Sequence, residues 1–280
     1  MSDKSARPET AVSASSQPIH VFERLPVLSG AVGIHWFGQS SFALKDADGT
    51  ILLIDPHFPR VRSPDEFIHA ESPLDEKTLK PDFVLLTHEH GDHTCVESLT
   101  RIHGAFPATR YYGPHDSMDR LREQHFPEAL LVTVTAGSAV RLGKLMVHPV
   151  WSKLPDGMIV GLPVPDVTHL GYVIECGGVR VYASGDLFNT CSQYAAFWEP
   201  IAHLQPDIGL LTMHPTEGEF PFFAGAVELA VKLKLKAAVP AHYGCFTQRT
   251  YDPQTWAALF PVGEPRPIII PYNDSIVFIV

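Results

Sequence analysis

The sequence predicts an α+β fold, two β-sheets packed face to face with helices on the outside. Three observations lead there. Strand-like runs are followed by helical segments in each half of the chain, the order expected when sheets are covered by helices. Continuous apolar runs, Ile51-Leu52-Leu53-Ile54 and Phe83-Val84-Leu85-Leu86 among them, are of the kind buried on both faces. No linker interrupts the pattern after about residue 20 and no fixed-period repeat is visible, so the 280 residues read as one domain over 21–280. Residues 1–18 are rich in Ser, Ala and Pro without an apolar run, which predicts a disordered tail over 1–20 and neither signal peptide nor anchor.

The first strand is predicted near Ile34, where Ile34-His35-Trp36-Phe37 leads into Gln39-Ser40-Ser41-Phe42-Ala43-Leu44. Asp46-Ala47-Asp48-Gly49 reads as a hairpin turn into the strand at 51–54, which ends at Asp55-Pro56. Residues 58–80 are Pro-rich and charged, a loop long enough to be a lid or a contact between copies of the chain. After the strand at 83–86, Thr94 is a good cap for a helix to about residue 102. A short strand at 110–112, a helix from about 116 to 124, and β-rich segments at 130–135 and 139–151 follow. Residues 170–175 and 179–183 form a hairpin closed by Ser184-Gly185-Asp186. In the last third, a strand at 208–211 precedes a helix at 223–234 whose Glu228, Lys232 and Lys236 share a solvated face. Ala238-Val239-Pro240-Ala241 leads into His242, and a terminal hairpin joins 268–270 to 276–278 through Asn273-Asp274.

Composition narrows the function. A formal charge of -10 with no Lys/Arg cluster disfavours nucleic acid, whose binding relies on basic surface. The four cysteines show no C-x-x-C spacing, which fits reduced thiols in a cytoplasmic protein. No apolar run is long enough for a membrane span.

The chemistry concentrates in Thr87-His88-Glu89-His90-Gly91-Asp92-His93, three histidines and an aspartate at the carboxyl end of a buried strand. His and Asp are common nitrogen and oxygen ligands for zinc-like ions. On a turn leaving a strand, His88 and His90 can face one point while Asp92 and His93 face a second beside it. Two adjacent cations would make hydroxide near neutral pH and polarise the bond it attacks. Asp186 follows a strand and a glycine and can bridge two ions; a turn acid is the bland alternative. His242 ends a short apolar strand, where a core histidine is the alternative. Zinc is the default for a His-rich site, whereas manganese and iron suit its carboxylate-containing half.

Taken together, T-H-x-H-x-D-H after a buried strand, Ser184-Gly185-Asp186 and Pro240-Ala241-His242-Tyr243 resemble the metallo-β-lactamase superfamily over roughly residues 30–280. The resemblance implies a four-layer αββα sandwich holding two divalent metal ions. It places His88, His90 and a third histidine on one ion, Asp92, His93 and His242 on the other, and Asp186 between them. Relatives usually carry the third histidine after the strand that here runs over 145–150, yet Trp151-Ser152-Lys153 has none. His169, at a strand mouth, is preferred to His148, inside a strand beside Pro149; a site one imidazole short is the remaining alternative. Leu154-Pro155-Asp156-Gly157-Met158, Gly171-Tyr172-Val173-Ile174-Glu175 and the closing histidine segment are similar to the branch containing the ascorbate-6-phosphate lactonase. Dizinc β-lactamases put cysteine where this chain has Asp186, and flavodiiron proteins put glutamate where it has His90, so neither activity is expected.

The expected function is hydrolysis of a small anionic ester or lactone, such as a phosphorylated sugar lactone, by a metal-bridging hydroxide. Asp92 is the expected catalytic residue, orienting the nucleophile and passing its proton to the leaving oxygen. His214 ends a strand on the active edge and is the candidate substrate contact. Asp55 resembles the family acid that buttresses the metal loop. The alternatives are a phosphodiesterase resembling the phospholipase of N-acyl phosphatidylethanolamines and a non-catalytic metal-binding sensor. Substrate selection is expected in the loops at 57–80, 152–168 and 214–223, and the Pro-rich loops offer surface for a homo-oligomer.

Overall fold

Alternation of side chains along the strands separates two apolar surfaces, and that separation builds the layers. The computed structural model describes residues 18–155, 164–188, 190–214 and 222–280. Among them, one turn of 3-10 helix at Val21–Arg24 precedes β1 (Ala31–Trp36), β2 (Phe42–Lys45), β3 (Ile51–Ile54) and β4 (Phe83–Leu85). Helix α1 (Val96–Ala105), β5 (Arg110–Gly113), α2 (His115–Glu123) and β6 (Leu131–Thr133) complete the first half. The second half runs β7 (Val140–Leu142), β8 (Leu145–Trp151), β9 (Leu170–Cys176), β10 (Val179–Ala183), α3 (Ala195–His203), β11 (Ile208–Thr212), α4 (Phe223–Lys232) and β12 (Ala237–Ala241). Helix α5 (Pro253–Ala257), β13 (Arg266–Pro267) and β14 (Asp274–Ile279) end the chain.

The strands form two seven-stranded sheets, ordered β14-β1-β2-β3-β4-β5-β6 and β13-β12-β11-β10-β9-β8-β7. Each is antiparallel over one part and parallel over the other, at β3-β4-β5-β6 and at β10-β11-β12-β13, where the connections are long crossovers, all but the first through an α-helix. The predicted turn after β2 is present: the Asp46 carboxylate accepts from Asp48 N at 3.0 Å and Thr50 N at 2.8 Å, and Gly49 takes φ +87°.

Inward residues Ile34, Trp36, Phe42, Leu44, Leu52 and Ile54 pack with Val147, Ile174 and Val181 of the second sheet in one core. Outward residues Ala43, Ile51, Leu53 and Val84 pack with Leu99 and Ile102 of α1 and Met118 and Leu121 of α2 in another. Phe197 and Ile201 of α3 and Leu229 and Ala230 of α4 cover the second sheet. The result is the four-layer αββα sandwich, with strands apolar on both faces because both faces are covered.

Several local expectations are corrected. Thr94 does not cap α1; Cys95 occupies that position without a side-chain bond, and Thr94 Oγ1 donates instead to His88 O at 2.6 Å. Helix α4 ends at Lys232, so Glu228 and Lys232 pair at 3.1 Å while Lys236 lies beyond, 3.4 Å from Asp207. The terminal hairpin does not form. Strand β13 pairs with β12 in the second sheet and β14 with β1 in the first, because the segment between them crosses from sheet to sheet with Ile270 in the core. Helices α3 and α5 were not foreseen, α3 because Pro200 within it disguises the pattern. Of the predicted tail, residues 1–17 lie outside the described residues, as do 156–163 and 215–221 of the expected specificity loops. No helix among the described residues is long and apolar enough to cross a membrane.

Candidate metal centre

Parallel strands present their carboxyl ends along one edge, and the candidate residues leave from those ends. Asp55 follows β3, the histidine motif follows β4, Asp186 follows β10, His214 follows β11 and His242 follows β12. Two of them, Asp55 and His242, require unusual backbone, as does Gln39 beside them: their φ values of +44°, +63° and +53° lie in the left-handed region that residues other than glycine seldom adopt. Gly185 takes φ +59°, and a Cβ there would lie 2.6 Å from Leu170 O and 2.9 Å from Ser152 Oγ. Only glycine lets the chain turn at that point and deliver Asp186.

The side chains converge in three adjoining groups, within each of which the candidate ligand atoms lie within 4.8 Å of one another: His88, His90 and His169; His88, His93 and Asp186; Asp92, His93 and His242. In the first, His88 Nε2 is 3.1 Å from His90 Nδ1 and the His88 and His169 rings stack with centroids 4.1 Å apart. Asp186 links the groups, with Oδ2 3.8 Å from His88 Nε2 and Oδ1 3.3 Å from both His93 Nε2 and His242 Nε2. Asp92 Oδ2 lies 3.5 Å from His242 Nε2. His148 stays on β8 beside Glu175, 3.4 Å away, outside the three groups.

Supporting hydrogen bonds fix which nitrogen each imidazole offers. The Asp55 carboxylate accepts from Thr87 N at 2.8 Å, Thr87 Oγ1 at 2.6 Å and His93 Nδ1 at 2.7 Å. His93 therefore turns Nε2 toward Asp186 and Asp92. His242 Nδ1 donates to His214 O at 2.6 Å, which leaves its Nε2 facing the centre. Such outer partners set tautomer and ring orientation at metal sites. His214, expected to touch substrate, holds His242 through its carbonyl and places its ring Nδ1 2.5 Å from Tyr251 OH.

Electrostatics follow from burial. Burial pushes the His93 imidazole down, but the carboxylates of Asp186, Asp92 and Asp55 outweigh it and hold it well above its ordinary range. Burial pushes the Asp92 carboxyl up, yet His93, His242 and Arg249 hold it well below the usual carboxylate range. Burial also raises Asp186, which His242 and His93 then bring well down. His169 is lowered to about 3 by burial and by Lys153.

These residues fit divalent cations. His169 Nδ1 is buried without a hydrogen-bond partner, and His93 Nε2, Asp186 Oδ1 and His169 Nε2 meet carboxylate or imidazole atoms at 3.3–3.5 Å without hydrogen-bond geometry, an unfavourable state for buried polar atoms unless something coordinates them. The donor set is nitrogen and carboxylate oxygen throughout, which suits zinc, manganese or iron.

Three residues at the centre had no role in the sequence reading. Gln39 Nε2 donates to Asp92 Oδ2 at 2.7 Å, Arg249 Nη1 donates to the same oxygen at 3.0 Å, and Asp166 Oδ2 lies 2.8 Å from His90 Nε2. Polar residues in loops are too common to single these out. A cavity of about 500 Å³ opens beside Asp92 and Arg249, and one of about 230 Å³ beside His169 and Asp166.

Similarity to known proteins accords with this geometry. The Beta-lactamase superfamily domain matches residues 50–243. The chain is 32% identical over 246 residues to a UPF0173 metal-dependent hydrolase of Thermococcus onnurineus, covering 85% of this chain and 96% of that one. A UPF0173 metal-dependent hydrolase of Myxococcus xanthus is 29% identical over 231 residues, covering 78% of this chain and 72% of its own. Igni18, a metallo hydrolase of Ignicoccus hospitalis, shares the fold at a TM-score of 0.63 and 21% identity, over 89% of this chain and 99% of that one.

Proposed function

The chain belongs to the beta-lactamase superfamily and is a metal-dependent hydrolase like its relatives; from that premise we propose that it cleaves a small anionic ester or lactone. The observation that carries the reading is the run of three adjoining ligand groups, joined through His88 and His93 with Asp186 in the middle one and Asp92 at the end that faces the larger cavity. We assign one cation to His88, His90 and His169, a second to Asp92, His93 and His242, and Asp186 to both. Bound there, the two cations supply an activated water and polarise the scissile bond. Zinc is our first choice for a centre with five imidazoles.

The protein's own groups position and move the proton. Gln39 holds Asp92 Oδ2 at 2.7 Å, so the carboxylate is oriented. Asp92 accepts the proton of the attacking water and passes it to the leaving oxygen, a general base turned general acid. Asp55 and the His214 carbonyl keep His93 and His242 in the tautomers that leave Nε2 free. A lactone is favoured among esters by the short likeness to the ascorbate-6-phosphate lactonase branch in β9 and the closing histidine segment. The hydrolase unit is read as residues 21–280, and four buried, unpaired cysteines accord with a reducing cytoplasm.

Protein purified without chelator is to be assayed for metal and for turnover of a lactone and ester panel beside bis-p-nitrophenyl phosphate. The expected result is about two equivalents of metal and ester turnover, lost in Asp92→Asn and His90→Ala without change in circular dichroism. Full activity in both variants would sink the mechanism, phosphodiester turnover alone would replace the substrate class, and metal without any turnover would make the protein a sensor.

A further inference from the structure

Arg249 sits against two of the atoms assigned to the second cation. Its Nη1 is 3.0 Å from Asp92 Oδ2 and 3.0 Å from His242 Nε2. An imidazole Nε2 has one lone pair, which cannot serve an N–H donor and a cation together. A divalent cation held by Asp92, His93 and His242 would also repel the guanidinium. Cation and Arg249 therefore exclude one another at His242.

Arg249 has space to retreat into. It lines the cavity of about 500 Å³ beside Asp92, together with Phe246, Thr247 and Gln248. Its backbone is held, since Arg249 N donates to Phe246 O at 3.0 Å and Gly244 N donates to Arg249 O at 3.2 Å, so the side chain alone must move. The Phe246 ring, 5.2 Å from the guanidinium carbon, gives it a surface to lie on but no acceptor. Asp65 and Glu66 line the same cavity, yet the carboxylate Arg249 pairs with among the described residues is that of Asp92. Released from Asp92 and His242, a planar guanidinium in a cavity wall is suited to a carboxylate or phosphate.

We propose that Arg249 is the specificity residue of this site, freed by the second cation to receive an oxyanionic group of the substrate, carboxylate or phosphate. The proposal rests on the hydrolase reading for its substrate and on the geometry alone for the exclusion.

Two measurements test it. In the first, calorimetric zinc titration of the metal-free protein compares wild type with Arg249→Met. The second equivalent is expected to bind about tenfold more tightly in the variant, the first being unchanged, because the competitor is gone. In the second, the zinc-loaded proteins are assayed on 4-nitrophenyl hemisuccinate and 4-nitrophenyl butyrate, and titrated with inorganic phosphate. Arg249→Met is expected to lower the hemisuccinate-to-butyrate ratio of kcat/KM and the phosphate affinity about tenfold or more, with Arg249→Lys in between. Loss confined to the hemisuccinate ratio names a carboxylate, and loss confined to phosphate binding names a phosphate. An unchanged second zinc affinity, or a variant with neither loss, overturns the proposal. If neither ester is turned over by wild type, the hydrolase reading fails, and the zinc and phosphate titrations still judge Arg249.

Discussion

The Asp55 carboxylate accepts a hydrogen bond from His93 Nδ1 at 2.7 Å, and so decides which nitrogen His93 turns toward Asp186. Asp55→Asn keeps the size of the side chain and tolerates φ +44°, since Asn adopts left-handed backbone readily. Its amide can present an N–H to His93, which then carries its own proton on Nε2, toward the centre. Cation affinity is expected to fall about 10- to 100-fold with the fold intact. Competition with a chelating dye measures this, and an unchanged affinity would remove Asp55 from the support of the site.

His169 and His148 compete for the same task, and geometry separates them. His169 stacks on His88 within a ligand group, whereas His148 lies outside the groups beside Glu175. His169→Ala is expected to lose roughly one equivalent of metal and His148→Ala none. Plasma mass spectrometry of the purified variants decides between them, and loss in His148→Ala alone would reverse the assignment.

Much of this centre was legible because its residues sit where local rules are strong. Apolar runs mark β3, β4 and β12, and a polar residue soon after such a run lies at a strand's carboxyl end, as the ligands His88 and His242 and the supporting Asp55 do. His169 could be preferred because it stands at a strand mouth, just before β9, whereas His148 lies inside β8 beside Pro149. What could not be read depends on distant partners. Arg249 meets Asp92 across 157 positions and Gln39 meets it across 53, and neither has a local signature. Thr94 satisfies the capping rule, but the carbonyl of His88 takes its hydroxyl, a tertiary bond overriding a local preference. The pairing of β14 with β1 was hidden because Asn273-Asp274 forms a turn in either arrangement.

A pH effect is expected away from the metal centre. Burial lowers His35 to about 4 from 6.5, despite the help of Asn273. The neutral ring is satisfied, accepting from Ser275 Oγ at 2.7 Å and donating to Asn273 Oδ1 at 3.0 Å. A histidine whose folded pKa is depressed leaves stability untouched above its unfolded pKa. As pH falls from 6.5 toward 4 the unfolded chain takes up the proton first, so stability is lost across that window, by about 3 kcal/mol for this residue. Urea unfolding midpoints are expected to fall less steeply between those pH values in His35→Gln than in wild type, although the variant is less stable at pH 7. Parallel curves would show that His35 is not the source.

Gly185 and Gly49 share left-handed backbone but differ in surroundings, which lets strain be separated from collision. Gly49 has φ +87° with nothing within 4 Å of an added Cβ, whereas at Gly185 the added atom meets Leu170 O at 2.6 Å and Ser152 Oγ at 2.9 Å. Gly49→Ala is expected to cost about 1–2 kcal/mol, the penalty of the conformation itself. Gly185→Ala carries that penalty and also pushes backbone against backbone one residue before Asp186. A loss of about 3 kcal/mol or more is expected, with reduced binding of both cations because the carboxylate they share is displaced. Chemical denaturation and zinc titration of the two variants check this together. Equal losses in stability, with zinc binding intact in Gly185→Ala, would mean that the tight turn is not what delivers Asp186.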